Sequence, residues 1–275
     1  MEQLLYKIAI ISDPQINLRQ TNYNGVQKDL EILQRCYKNI NVDALAVCGD
    51  ITENGLPEEW DYFFNGLKQY CLTKNLFLVP GNMDKTNTEK GKKIFTEAYR
   101  RFSGNDHGLY FVYETDCCFF AGIAYEPINK GTITDTQLYV LDKFLQKAAV
   151  LNFPAIVFSH YQVSDTINVN WKYASMNEDS PKVRNILEKH CGKVVFFSGH
   201  THRGLMIEPG GSIVTQKNVT YVSTPSLCYP DVEHYQADND CEGTGFICEV
   251  YKEGIRIRGY NFLNREYLNS FDWKI

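Results

Sequence analysis

An α/β fold is the class that this sequence of 275 residues predicts, and three observations carry the prediction. Five short apolar runs, rich in β-branched and aromatic residues, read as buried strands: Ile8–Ser12, Ala44–Cys48, Leu76–Pro80, Ala155–Ser159 and Val194–Ser198. Each runs directly into a glycine or a ligand-type residue: Asp13-Pro14-Gln15, Gly49-Asp50, Gly81-Asn82-Met83-Asp84, His160 and Gly199-His200-Thr201-His202. Between the runs lie segments whose apolar residues recur at helical spacing. In open α/β sheets the carboxyl ends of strands meet at one crevice where ligands bind, so five such ends predict one shared site.

Taken in order, the first strand opens into a polar loop, Asn17 to Gly25, at the mouth of that site. Leu30, Leu33, Tyr37 and Ile40 then predict a crossover helix leading back to the strand that ends at Gly49-Asp50. Pro57 followed by Glu58 and Glu59 suits a helix start, where proline and acidic residues are favoured. Trp60, Phe63, Phe64, Leu67 and Cys71 line one face of that helix and read as core. The run Lys85–Lys93 is polar and mixed in charge, a solvated loop and helix start leading into Ile94–Phe102; a phosphate-binding role for its lysines is open, although their spacing does not support it. Alternation and aromatic content predict two hairpin strands of a central sheet, Leu109–Glu114 and Cys118–Ala124. Thr134-Asp135-Thr136-Gln137 opens the next helix as a capping box, with Leu138, Leu141, Leu145 and Ala148 inward.

The long segment between His160 and Pro181 carries Tyr161, Trp171 and Tyr173, and its length marks it as a substrate-side cap. Ser180-Pro181 starts a helix through Val183, Ile186 and Leu187, and His190 reads as a cation at its end rather than as a ligand. The tail adds strands at Val219–Ser223, Phe246–Tyr251 and Ile255–Tyr260, with Glu253-Gly254 as the last turn.

Composition narrows the classes. With 44% hydrophobic and 22% charged residues the chain reads as an ordinary soluble globular protein. Because the candidate ligands run from position 13 to 202, residues 1–275 are expected to form a single domain. A net charge of −5 disfavours a duplex nucleic-acid footprint, which is basic. Nine scattered cysteines with no C-x-x-C read as buried thiols, not as a disulfide framework or a cysteine zinc site. No apolar run approaches the roughly 20 residues of a membrane span, and the N-terminal apolar stretch is too short for a signal core, so a cytoplasmic location with no membrane partner is expected. Nothing in the sequence fixes the oligomeric state.

His200 and His202 set the chemistry. If the chain stays extended past Gly199, the two imidazoles point the same way about 6.6 Å apart, at roughly 3.3 Å per residue. That separation suits two metal ions about 3.5–4 Å apart, one per imidazole. The order Asp13-Pro14-Gln15, Gly49-Asp50, Gly81-Asn82-Met83-Asp84, His160, Gly199-His200-Thr201-His202 resembles that of the calcineurin-like metallophosphoesterases, whose motifs are D-x-H, G-D, G-N-H-[DE], a lone H and G-H-x-H. The resemblance runs from residue 7 to about residue 260, and the last motif matches in full.

That resemblance implies a four-layer α/β/β/α sandwich of two mixed sheets flanked by helices. It implies two divalent or trivalent transition-metal ions, Mn, Fe or Zn among them. One would be held by Asp13, Gln15, Asp50 and His202, the other by Asp50, Asn82, His160 and His200, with Asp50 bridging. Asn82 and Asp84 are the expected catalytic residues. The implied activity is hydrolysis of a small-molecule phosphate ester by a metal-bound hydroxide, with a lean toward diesters, and the rival is a binding or scaffold protein on the same fold. Two positions depart from the family pattern. Gln15 replaces a histidine, and a neutral amide oxygen binds zinc-like ions less tightly than imidazole. Met83 replaces the histidine thought to help the leaving group, and a thioether donates no proton. His107 and His234 are the histidines that stand in loops and can be weighed as its replacements.

Overall fold

The computed structural model describes residues 3–19, 24–71, 73, 75–104, 108–127, 132–167, 175–205, 211–228 and 242–275, with the side chains of 24–28 left aside. Two mixed six-stranded sheets face each other. The first contains β1 (Leu4–Ile11), β2 (Ala44–Cys48), β3 (Asn75–Val79), β10 (Thr244–Tyr251), β11 (Ile255–Asn261) and β12 (Glu266–Lys274), in the order β12-β11-β10-β1-β2-β3. The second contains β4 (Phe111–Glu114), β5 (Phe119–Gly122), β6 (Ala155–Phe158), β7 (Val194–Ser198), β8 (Ile213–Gln216) and β9 (Val219–Ser223), in the order β4-β5-β6-β7-β9-β8. β1, β2 and β3 run parallel, as do β5, β6, β7 and β9, while the outer strands pair antiparallel.

The period-2 alternation of strands decides the layers. Ile8 and Ile10 of β1 and Ala46 and Cys48 of β2 point between the sheets, where they meet Ile156 and Phe158 of β6 and Val195 and Phe197 of β7. Ala9, Ile11, Leu45 and Val47 face the other way and pack on α1 (Asn24–Asn39), α2 (Pro57–Tyr70) and α3 (Glu89–Ser103) through Leu33, Tyr37, Trp60, Phe63 and Phe95. On the second sheet Phe119, Val157 and Phe196 pack on α4 (Asp135–Val150) and α5 (Ser180–Lys189) through Leu141, Phe144, Leu145, Val183 and Leu187. The layering is therefore helix, sheet, sheet, helix, as expected. Among the described residues no helix is long and apolar enough to cross a membrane.

Local details refine the expectations. The helix before Gly104 starts earlier than Ile94, at Glu89, because Thr88 caps it by accepting the Gly91 N–H. Thr134 caps α4, but the expected reciprocal arm is absent: the Gln137 amide donates to the Ala124 carbonyl at 2.8 Å and accepts its N–H at 3.1 Å, tying helix to strand instead. The expected hairpin forms as β4 and β5 of the second sheet, with β4 at its edge and three of its residues exposed. His190 ends α5 and its Nε2 lies 2.8 Å from Asp142 Oδ1 of α4, so it ties two helices together and is in neither candidate ligand group. All eight cysteines among the described residues are free thiols.

Candidate metal centre

Each candidate residue stands two to four positions past the end of a strand of the parallel cores: Asp13 and Gln15 after β1, Asp50 after β2, Asn82 after β3, His160 after β6, His200 and His202 after β7. Strand ladders continue as loop hydrogen bonds that stitch these turns together. Asp13 N–H donates to the Gly49 carbonyl, Gln15 N–H to the Asp50 carbonyl and Gly199 N–H to the His160 carbonyl, each at about 3 Å.

The backbone does not stay extended past Gly199. His200 and His202 have φ of 75° and 53°, and Asp13, Gln15 and Asp50 have φ of 49°, 43° and 47°, all in the left-handed region. The expectation of two imidazoles splayed along a straight strand is thus corrected. The physical reason is crowding. A Cβ on Gly199 would stand 1.9 Å from Ser12 Oγ and 2.6 Å from Asp13 Oδ2, and the chain must turn at once so that His200 N–H can donate to that same Oδ2 at 3.0 Å. Non-glycine residues in this region cost about 1–3 kcal/mol each, and such strain gathers where function needs a fixed geometry.

The turns bring two groups together. One ligand atom from each of Asp50, His160 and His200 lies within 4.8 Å of the others, and the same holds for Asp13, Asp50 and His202. Asp50 belongs to both. In the first group, His160 Nδ1 is 2.9 Å from the Cys48 carbonyl, a contact only an N–H can make, so the Nε2 lone pair faces inward. That lone pair meets Asp50 Oδ2 at 3.3 Å, Asn82 Oδ1 at 3.1 Å and His200 Nδ1 at 3.0 Å. The Tyr161 hydroxyl donates to Asn82 Oδ1 at 3.3 Å, which marks that atom as the amide oxygen. With Nε2 unprotonated these are buried acceptors facing acceptors, a conflict that either a proton on His160 or a metal ion among them resolves. Burial opposes charge on His160, yet the neighbouring Asp50 and Asp13 carboxylates raise its pKa to about 9, so the field there favours positive charge.

In the second group, Asp13 is fully buried and its Oδ2 takes the Ser12 hydroxyl and the His200 N–H. Its Oδ1 is buried without a hydrogen-bond donor and lies 3.2 Å from His202 Nε2. Burial raises the Asp13 pKa, but His202 outweighs it and the carboxyl sits at about 2, ionised at every working pH. An ionised, undersatisfied carboxylate beside an imidazole fits a metal ion, and both groups offer the oxygen and nitrogen donors that transition metals take. Gln15 is half-buried and its backbone N–H donates to the Asp50 carbonyl at 2.9 Å.

The third-motif loop is organised by Asp84. This carboxylate is completely buried and accepts four hydrogen bonds: Ile51 N–H at 3.2 Å and Gly81 N–H at 2.8 Å on Oδ2, Thr52 N–H and Thr52 Oγ1 at 2.8 Å on Oδ1. Burial and then the Asp50 charge push its pKa up to about 7. Both oxygens are taken up by donors of the loops after β2 and β3, whereas Asp84 was expected to be a catalytic residue beside Asn82. Met83 N–H in turn donates to Asp50 Oδ1 at 2.7 Å, so the residue that lacks the family side chain still positions the shared carboxylate.

Sequence reasoning missed three participants. Ser12, Thr52 and Tyr161 adjoin motif residues, but only their hydrogen bonds to Asp13, Asp84 and Asn82 reveal their part. Tyr161 is further held by a stack on Tyr125, with ring centres 4.8 Å apart, and by edge contacts with His160 and His200. His107 and His234, weighed as replacements for a leaving-group histidine, lie outside the described residues, as do Trp171 and Tyr173 of the expected cap.

Comparison with known proteins agrees with this arrangement. The chain is 27% identical over 207 residues to a protein of Arcobacter nitrofigilis named "Probable glycerophosphodiester phosphodiesterase GpdQ", a match that covers 71% of each chain. A dimetal phosphatase from Danio rerio superposes with a TM-score of 0.71 over 99% of both chains at 14% identity. GAP50, described as the anchor in the inner membrane complex of Plasmodium, superposes with a TM-score of 0.64 over 99% of this chain and 89% of its own at 12% identity. At such identities the two structures speak for the fold alone. The family model of the calcineurin-like phosphoesterases matches residues 6–204, from β1 through the last of the candidate ligands, and this chain belongs to that family.

Proposed function

We propose that the chain hydrolyses phosphate esters at a two-metal centre, with residues 1–275 acting as one unit. The observation that carries this reading is the pair of tight ligand groups sharing Asp50. Asp13, Gln15, Asp50 and His202 would hold one ion, and Asp50, Asn82, His160 and His200 the other. Two such ions, when bound, neutralise charge on phosphoryl oxygens and make water acidic enough to attack at neutral pH.

The chain's own residues do the rest. The Cys48 carbonyl fixes the His160 tautomer, and Ser12 and His200 N–H fix the Asp13 carboxylate. With its oxygen turned to His160 and pinned by Tyr161, Asn82 keeps its Nδ2 hydrogens for a phosphoryl oxygen. Asp84 is a positioning residue here rather than a catalytic one, because its four bonds hold the ends of β2 and β3 in register with Asp50 and Asn82. Met83 supplies no proton, which favours esters whose leaving group departs unprotonated. A lean toward diesters is supported by the name of the Arcobacter relative.

The scaffold reading draws on the loss of two family histidines, at Gln15 and Met83. Metal analysis of protein purified without chelator, paired with turnover of a chromogenic phosphodiester, separates the two. Bound metal with turnover, both lost in Asp50→Asn, selects the enzyme; wild-type protein that holds no metal and turns over nothing selects the scaffold, and full activity in Asp50→Asn would end the shared-ligand scheme.

A further inference from the structure

We infer that Lys85 is an exposed cation at the rim of the site that binds the phosphate of the substrate on the side where Met83 replaces the family histidine; the inference rests on the phosphoesterase reading above. Three observations bring Lys85 forward. Its ammonium lies 3.7 Å from Met83 Sδ, so the charge is carried to the edge of the loop whose backbone holds Asp50. Among the described residues no carboxylate lies within ion-pair distance of that ammonium, although nearby Glu53 feels both Asp50 and Lys85, with burial and Asp50 raising its carboxyl pKa and Lys85 opposing.

The third observation is the backbone. Lys85 has φ of 57°, one of six left-handed non-glycine residues among the described residues that are not candidate ligands, Lys217 and Arg265 among them. This conformation is enforced from all sides. Lys85 N–H donates to the Asn82 carbonyl, and the Lys85 carbonyl accepts Thr88 N–H at 3.1 Å and Thr88 Oγ1 at 2.8 Å. α3 presses on the same peptide so closely that a Cβ on Gly91 would stand 2.0 Å from the Lys85 carbonyl oxygen. A glycine or asparagine would occupy position 85 with less strain, yet a long cationic side chain stands there. Strain of this kind persists where the side chain it presents has work to do.

The chemistry follows from the place. A thioether offers a phosphate nothing but apolar contact, whereas an ammonium leaning on it offers three donors and a full charge. Such a cation attracts the phosphoryl oxygens without giving up its proton, so it partly offsets the missing imidazole in binding while leaving the demand for a good leaving group in place.

The test uses the full chain loaded with Mn(II), with inorganic phosphate as the calorimetric probe and bis(p-nitrophenyl) phosphate as the turnover probe. Lys85→Asn keeps a residue that accepts the left-handed backbone and removes the charge; it should weaken phosphate binding about tenfold, the lower end for a hydrogen bond to a charged group, without lowering the melting temperature. Lys85→Arg should retain most of the affinity. Lys85→Gly, neutral and unstrained, is the second variant if Lys85→Asn folds poorly. Wild-type phosphate affinity in both neutral variants, or equal loss in Lys85→Arg and Lys85→Asn, overturns the assignment while turnover by the wild type leaves the phosphoesterase reading standing. Wild-type protein that neither binds phosphate nor turns over ester overturns both.

Discussion

Replacing Asp84 by asparagine separates a positioning residue from a catalytic one. The carboxylate accepts Ile51 N–H and Gly81 N–H on one oxygen and Thr52 N–H and Thr52 Oγ1 on the other. Asparagine must place its NH2 at one of these two positions. Facing Ile51 and Gly81 it would orphan two buried backbone donors. Facing Thr52 it would orphan one, because the Thr52 hydroxyl can turn round and accept. The second arrangement is the cheaper, and one buried unsatisfied donor costs about 1–3 kcal/mol, so a loss of about 2 kcal/mol is expected. For a chain of this size that is a fall of about 4–8 °C in melting temperature. The measurement belongs in saturating Mn(II), where the repulsion between Asp84 and Asp50 that raises the Asp84 pKa is offset by the bound cations. Asp84→Ala strands all three N–H groups and should be clearly worse, beyond about 3 kcal/mol. If Asp84→Asn melts within about 0.5 kcal/mol of wild type yet abolishes turnover, Asp84 acts on the reacting atoms and the positioning role assigned here is wrong.

Three further outcomes are expected. Gln15→His should tighten only one of two Mn(II) binding steps seen by calorimetry; a change in both steps or in neither removes Gln15 from the ligand set. Tyr161→Phe keeps the stack on Tyr125 but frees the Asn82 amide, so kcat/KM should fall about 2- to 10-fold, as for one neutral hydrogen bond, with the melting temperature held; unchanged kcat/KM would show that Asn82 needs no such pin. Arg256 bonds Asp272 through two nitrogens across β11 and β12 and holds that carboxyl below its usual value, so the pair stabilises above about pH 4 and its contribution disappears as pH falls through the folded pKa. Arg256→Met should therefore lose roughly 0.5–1 kcal/mol at pH 7 and progressively less as pH falls below about 4 by denaturant unfolding, and a loss independent of pH would mean packing rather than charge.

The sequence determined the strands of the two parallel cores and the ligand-type residues at their ends, because both are short-range facts. An apolar run such as Val194–Ser198 is buried on both faces wherever it lies, and a residue just past its end must emerge at the sheet's carboxyl edge. The same logic failed for β8 and β12, edge strands that are mostly half-buried and mostly exposed respectively and carry no long apolar run to read. The resemblance to a family supplied the pairing of ligands into two sets. Tertiary structure alone decided that Asp50 lies within reach of both, that His200 and His202 are turned by left-handed backbone rather than aligned on a strand, and that Asp84 faces its own loop. Each of these depends on contacts between residues dozens of positions apart, such as His200 N–H on Asp13 or Thr52 on Asp84, and no local pattern encodes which of several buried carboxylates such donors will find.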